Sequence, residues 1–255
     1  GERCVDPWKG WLELSIDRRL AKRTARIVAN SPGVQDFYVQ HGLPAEKFVV
    51  IPNGVPPAPP IAARREEILR ELRLPESCFL SGLVGRLWPQ KRIKDAIWAA
   101  DLLKVVRKDF HLLIVGDGPH RERLEAFRRE CRIEDHVHFL GHRSDVPRLL
   151  PHLDVFWSTS AYEGQSNSIM EAMAAGLPIV ATDIPGTRDL VVPGETGHLV
   201  PLGDRAAVTK HTNDLLNDAS RRAALRAAGR RRMLEDFSVE AMIRRHADLY
   251  RSLLD

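Results

Sequence analysis

The stretch LDVFWSTSAYEGQSNSIMEAMAAGLPIVATD, from Leu153 to Asp183, constrains the fold of this chain more than any other segment. Leu153–Trp157 is a short apolar run of the kind that forms a strand buried on both faces. The run breaks at Tyr162–Gly164, and Ser166 is placed to cap a helix with apolar positions at Ile169, Met170, Met173 and Ala174. Gly176 follows as the residue just past the helix, and Pro178 leads into a second apolar run, Ile179–Thr182. Strand, loop, helix and strand in this order make a parallel α/β unit. Its loop hangs from the carboxyl end of a strand, where such sheets bind ligands. Two carboxylates stand there: Glu163 in the loop and Glu171 on the helix, with seven residues between them.

At 255 residues the chain is long enough for one large domain, or for one domain and part of another. No apolar run approaches the ~20 residues of a membrane span, and the sequence does not open on a signal peptide. Cys4, Cys78 and Cys131 are few, odd in number and widely spaced, which argues against a disulfide framework and a zinc site and for a reducing, cytoplasmic setting. The net charge of +4 is mild. Basic clusters at Arg18, Arg19, Lys22, Arg23 and Arg26, and at Arg230–Arg232, suit acidic lipid or a phosphorylated ligand; taken singly, each reads as a solvated helix face. A peripheral contact at the inner face of a membrane is therefore an expectation, and a nucleic-acid partner is not.

The opening residues contain Trp8 and Trp11, then an Arg-rich helical stretch, the apolar run RIVANS, a helix capped by Ser31 and stopped at Gly42, and the run FVVIPNGV. These are two strand–helix steps with no earlier strand to pair with, which reads as the tail of a larger sheet. The proline-rich stretch 56–63 is a stiff linker. Beyond it a regular alternation of helices and strands is expected. It includes a helix from about Lys91 carrying Ile93, Ile97, Ala100, Leu103 and Val106 on one face. The last helix bears a stripe at Val239, Met242, Ile243, Leu249, Tyr250 and Leu253, which needs something to cover it.

Gly85, Arg86 and Leu87 follow a strand, and Lys91 stands at a helix start, so two cations meet at one strand's carboxyl end. Such a pair suits a diphosphate, although alone it is equally an exposed strand end. GDGP (Gly116–Pro119) lacks the third glycine of a dinucleotide fingerprint and reads as a tight turn. From Gly164 to Asn167 the helix start offers backbone N–H groups and the positive end of a dipole, which attract phosphate, and Glu163 and Glu171 offer acceptors for sugar hydroxyls. Taken alone, each glutamate is also an ordinary loop or helix-surface carboxylate.

In combination, GRL with Lys91, GDGP, FLG and EGQSNSIMEAMAAGLPIVATD resemble the retaining glycosyltransferases of family four, the glycosyl transferases group 1 of GT-B fold. The resemblance runs from about Arg26 to the end of the chain. It implies a Rossmann-like α/β domain, a parallel sheet with helices on both faces, over residues 64–235, preceded by the tail of the N-terminal acceptor domain (1–55) and the linker (56–63). Residues 236–255 would form a helix crossing back toward the N-terminal domain, most of which is missing. It further implies that a hexose-type sugar moves from a nucleoside diphosphate to an unidentified acceptor with retention. Arg86 and Lys91 would hold the diphosphate, Glu163 the sugar, the backbone of Gly164, Gln165, Ser166 and Asn167 the phosphates and sugar, and Glu171 the ribose, with Gly85 close by and Gly141 to Arg143 near the base. The sequence contains no Asp-x-Asp, in keeping with a family that uses neither a catalytic metal nor a cofactor beyond the donor. Arg92 replaces a common glycine, PGTRD (Pro185–Asp189) replaces Gly-Gly-x-x-Glu, and Gln165–Asn167 differs from the usual wording. A non-catalytic nucleotide-sugar-binding module and a GT-B sugar-nucleotide epimerase are the alternatives.

Overall fold

The alternation of apolar runs and amphipathic stretches builds two separate parallel sheets in the computed structural model of the chain, which describes residues 4–6, 9–61 and 63–254. Trp8 lies outside the described residues. The first part contains α1 (Trp11–Arg23), β1 (Ile27–Ala29), α2 (Pro32–Gln40) and β2 (Phe48–Val50). The two strands, expected to lack partners, pair in parallel with each other, Ile27 opposite Phe48. Ser31 caps α2 as its position suggests, its hydroxyl accepting from the Val34 N–H at 3.2 Å. Ala21, Ala29, Val34, Tyr38, Leu43 and Phe48 form a small core.

The second part runs α3 (Arg65–Glu71), β3 (Phe79–Val84), α4 (Ile93–Val106), β4 (Phe110–Val115), α5 (Arg121–Glu130), β5 (Val137–Gly141), α6 (Val146–Leu149), β6 (Val155–Ser158), α7 (Asn167–Ala174), β7 (Ile179–Thr182), α8 (Pro185–Arg188), β8 (Gly197–Val200), α9 (Arg205–Asn217), α10 (Ala219–Asp236) and α11 (Val239–Arg251). All six strands are parallel, in the order β5-β4-β3-β6-β7-β8. Alternate residues serve opposite faces, as the pleat requires. Leu112, Ile114, Val155 and Trp157 pack under α4, α5 and α9. Leu113, Val115, Phe156 and Ile179 pack under α3, α7 and α10. Trp157 is fully buried, and its indole N–H finds the Thr212 hydroxyl at 2.9 Å.

The order of the strands decides where a ligand can sit. From β3 the chain steps outward to β4 and β5, then returns to the other side of β3 with β6 and builds outward again. The loops that leave β3 and β6 therefore diverge, and the crevice between them is the switch point at which open α/β sheets hold ligands. The helix after β3 does not start at Lys91, as its periodicity suggests. Pro89–Lys91 forms a separate 3₁₀ turn, and Arg92, at φ 47° and ψ 40°, breaks it from α4.

Val55 leaves the first part beside the α10–α11 junction, its N–H donating to the Phe237 carbonyl at 2.8 Å. A side chain at Gly54 would place its Cβ 2.5 Å from the Val239 Cα. On α11, Val239, Met242 and Leu249 are half-buried, whereas Ile243 and Tyr250 stay exposed, as does Leu253 just past the helix. Among the described residues no helix is long and apolar enough to cross a membrane.

Candidate active site

The crevice is built from a turn after β3 and a loop after β6, and a buried carboxylate joins them. Glu163 forms an ion pair with the Lys91 ammonium through Oε1. The Ser160 hydroxyl donates to the same oxygen at 2.7 Å, and the Gln90 amide donates to Oε2 at 3.3 Å. A buried carboxylate needs such partners, because desolvating a bare charge costs several kcal/mol (~2–7 even for an uncharged polar group). The loops are also stitched through their backbones. The Thr159 hydroxyl donates to the Lys91 carbonyl at 2.9 Å, the Gln90 amide to the Tyr162 carbonyl at 2.7 Å, and the Ala161 N–H to the Gln90 carbonyl at 2.8 Å.

Gly85 allows the close approach. A Cβ there would stand 3.2 Å from Lys91 Cε and crowd the lysine stem. Arg86 is exposed, lies 4.8 Å over the Trp88 ring, and has no carboxylate partner among the described residues. It is thus available to an incoming anion. Glu171 is exposed on α7 and equally unpaired among the described residues; the packing around its carboxyl pushes its pKa up.

Ser166 occupies the N-cap of α7, but its hydroxyl meets Ser168 Oγ at 3.1 Å instead of capping a helical N–H. Uncapped N–H groups are what an anion binds at a helix start. The Gln165 and Asn167 side chains turn away to the first part of the chain: Gln165 Oε1 accepts from the Asn53 N–H at 2.5 Å, and Asn167 Oδ1 from Asn53 Nδ2 at 3.1 Å. Behind this loop, Gly186 of PGTRD comes so near that a Cβ would lie 1.7 Å from the Gly164 carbonyl oxygen, so only glycine fits. Asp189, at the end of the same segment, accepts from the Gly33 N–H at 3.3 Å, and burial pushes its pKa up.

Gly141 joins the neighbouring loops, its carbonyl accepting from the Gly116 N–H at 2.8 Å. Arg143 is not brought into the cluster. Its guanidinium is taken by Asp145 at 2.7 and 2.8 Å and by Glu71 at 2.8 Å. These bonds hold the Asp145 carboxyl down at about 2 and lower that of Glu71. Ser160, Gln90, Thr159 and Asn53 complete the site and were not singled out in the sequence. Ser160 stands three residues before Glu163, a spacing with no distinctive signature, and Asn53 reads only as part of a turn.

The chain matches the family glycosyl transferases group 1 over residues 64–232 and Glycosyltransferase Family 4 over residues 5–58, and it belongs to the glycosyl transferases group 1. It is 32% identical over 210 residues to the 2-deoxystreptamine N-acetyl-D-glucosaminyltransferase of Streptomyces fradiae, covering 80% of this chain and 50% of that one. It is 29% identical over 258 residues to the UDP-Gal:alpha-D-GlcNAc-diphosphoundecaprenol alpha-1,3-galactosyltransferase of Escherichia coli, covering 94% and 62% respectively. The structure superposes on HepE of Anabaena, solved with UDP and glucose, with a TM-score of 0.90 at 26% identity, covering 97% of this chain and 69% of HepE. The chain spans about half to three-fifths of the length of the curated relatives it matches. The architecture is that of the GT-B glycosyltransferases.

Proposed function

We propose that this chain carries the donor-binding half of a glycosyltransferase that moves a hexose-type sugar from a nucleoside diphosphate to an acceptor with retention of configuration. The observation that carries the reading is the meeting of Lys91 and Glu163 at the switch point between β3 and β6, where Arg86, on the same turn after β3, has no carboxylate partner among the described residues. Arg86 and Lys91 take the diphosphate, and in the reaction they stabilise the charge that grows on it as the glycosidic bond breaks, a role that needs no metal. Glu163, already aligned by Ser160 and Gln90, accepts from donor-sugar hydroxyls. The first N–H groups of α7 meet a phosphate, and Glu171 meets the ribose. The backbone at Gly141 lies toward the base, and Arg143 acts there by holding the loop through Asp145 and Glu71.

The relatives' names support a transferase over a binding module, and the UDP in HepE supports a nucleotide-sugar donor. Their acceptors are as different as 2-deoxystreptamine and a sugar on diphosphoundecaprenol, so no acceptor is assigned. On α1, exposed Trp11, Leu12, Ile16 and Leu20 alternate with exposed Arg19, Lys22 and Arg23, which supports a peripheral contact with a cytoplasmic membrane face. Thermal-shift titration with UDP-, GDP- and ADP-sugars tests the donor. At least one of the three raises the melting temperature, and no shift with any of them overturns the reading.

A further inference from the structure

Arg92 follows Lys91 directly and holds a backbone conformation, φ 47° and ψ 40°, that side chains with a Cβ seldom adopt. The conformation matters because it separates the Pro89–Lys91 turn from α4. Relaxation of Arg92 to the right-handed region would merge the turn with the helix and swing Lys91 around its axis, away from Glu163. Two sets of contacts oppose that relaxation. On the backbone, the Thr159 hydroxyl reaches the carbonyls of Lys91 at 2.9 Å and Arg92 at 3.3 Å. On the side chain, Arg92 Nε donates to Asp95 Oδ2 at 2.5 Å, and Arg205 Nε donates to the other oxygen, Oδ1, at 2.9 Å. Asp95 is buried in the first turn of α4, and Arg205 begins α9 with its guanidinium 4.1 Å over the Trp98 ring. A single buried carboxylate therefore locks the strained residue to a second helix.

We propose that Asp95, gripped by Arg92 and Arg205, is a positioning device for Lys91: it holds the turn in the left-handed conformation that aims the ammonium at the crevice. This rests on the assignment of Lys91 to the diphosphate. The contrary account is a plain cross-link between α4 and α9, which would change stability but leave Lys91-dependent binding untouched.

The test is calorimetry on the full chain with UDP and uridine as probes, followed by a double-mutant cycle between Asp95→Asn and Lys91→Ala. Asp95→Asn is expected to lower UDP affinity roughly tenfold, the effect of losing one well-placed charged contact, and to leave uridine binding unchanged. In the Lys91→Ala background the same change is expected to have no effect on UDP. Equal losses for UDP and uridine, or a full loss that persists without Lys91, would overturn the proposal. Where Asp95→Asn does not fold, Arg92→Ala serves: it keeps the Cβ that disfavours the left-handed conformation but removes the grip, and is expected to weaken UDP binding severalfold, while UDP affinity equal to the parent's overturns the idea. A parent chain that binds neither UDP, GDP nor ADP sinks the donor-site reading itself, a separate outcome.

Discussion

At the scale of single residues, the Lys91–Glu163 pair couples stability to binding. Each side chain is mostly buried, at 19% and 10% exposure. Removing one partner strands a charge, which costs about 3–5 kcal/mol where the site is dry and less where water reaches it. Lys91→Ala is therefore expected to lower both the melting temperature and the affinity for nucleoside diphosphate. Adding Glu163→Gln should restore much of the stability and none of the affinity, because the ammonium is still absent. Arg86→Ala separates the two effects: exposed and without a carboxylate partner among the described residues, it should leave the melting temperature alone and cost the diphosphate roughly 1.5–3 kcal/mol, with nucleoside binding unchanged. Calorimetry on both ligands checks this, and equal losses for nucleoside and diphosphate would contradict it. Glu163→Gln alone should spare the free diphosphate and weaken the sugar conjugate. Arg86, Lys91 and Glu163 were legible in the sequence through the combined motifs that carry the family resemblance, since charge at a strand's carboxyl end alone reads equally as an exposed surface. Ser160, Gln90 and Thr159 were not, since their partners lie about 70 residues away in sequence or depend on how a loop folds back. Arg143 shows the opposite failure: a cation beside the expected site whose partners, Glu71 and Asp145, draw it elsewhere.

At the scale of elements, the apolar runs and caps carried nearly all the information. Ser31, Asp204 and Ser238 each cap the helix that follows them, and Gly176, at φ 80°, stops α7. What patterning could not show is a break inside a good helix signal, as at Arg92, where hydrogen bonds from another loop override local preference. The strands also contain a feature that periodicity cannot explain. His111 on β4 and His138 on β5 share a hydrogen bond at 3.0 Å, with His136 stacked on His111. Burial first, then His111, Arg128 and His136, lowers the His138 pKa to about 4, against Asp135. His198 on β8, stacked on His211 of α9 at 4.4 Å, is likewise brought to about 4 by burial, His211 and Arg221, against Asp214. Histidine in an unfolded chain titrates near ~6.5. Lowered pKa values mean that the folded state binds these protons less readily, so the stabilisation is complete above ~6.5 and is lost as the pH falls toward 4. The melting temperature should fall through that window, and His138→Gln or His198→Gln should flatten the fall. An unchanged acid limb in both variants would show that other groups govern it.

At the scale of the whole molecule, the chain closes one wall of its crevice by itself. The first part leans on the loop after β6 through Asn53 and through Tyr162, which packs against the small core that includes Val34 and Tyr38, and on the end of α8 through the Gly33 N–H and Asp189. The relatives are longer, and we propose that the groups which orient an acceptor lie in the part of them that has no counterpart in this sequence. Exposed apolar side chains on or just past α11, at Ile243, Tyr250 and Leu254, fit that reading. The sequence already showed the α11 stripe and, on α1, Trp11, but not Leu12, Ile16 and Leu20, because a cluster of cations hides an apolar face from composition. Orientation of two substrates can be worth ~7–11 kcal/mol of a barrier, and closure of the cleft excludes water. A wall that only binds a diphosphate, as proposed for this one, would therefore not be sufficient for transfer. This chain should bind a nucleoside diphosphate, take up a dye that reports exposed apolar surface, and transfer no sugar when given UDP-, GDP- and ADP-sugars with a broad acceptor mixture. Mass spectrometry of the products decides it: turnover at a normal enzymatic rate, about 1–10³ s⁻¹, would mean that the residues described here assemble the acceptor side as well.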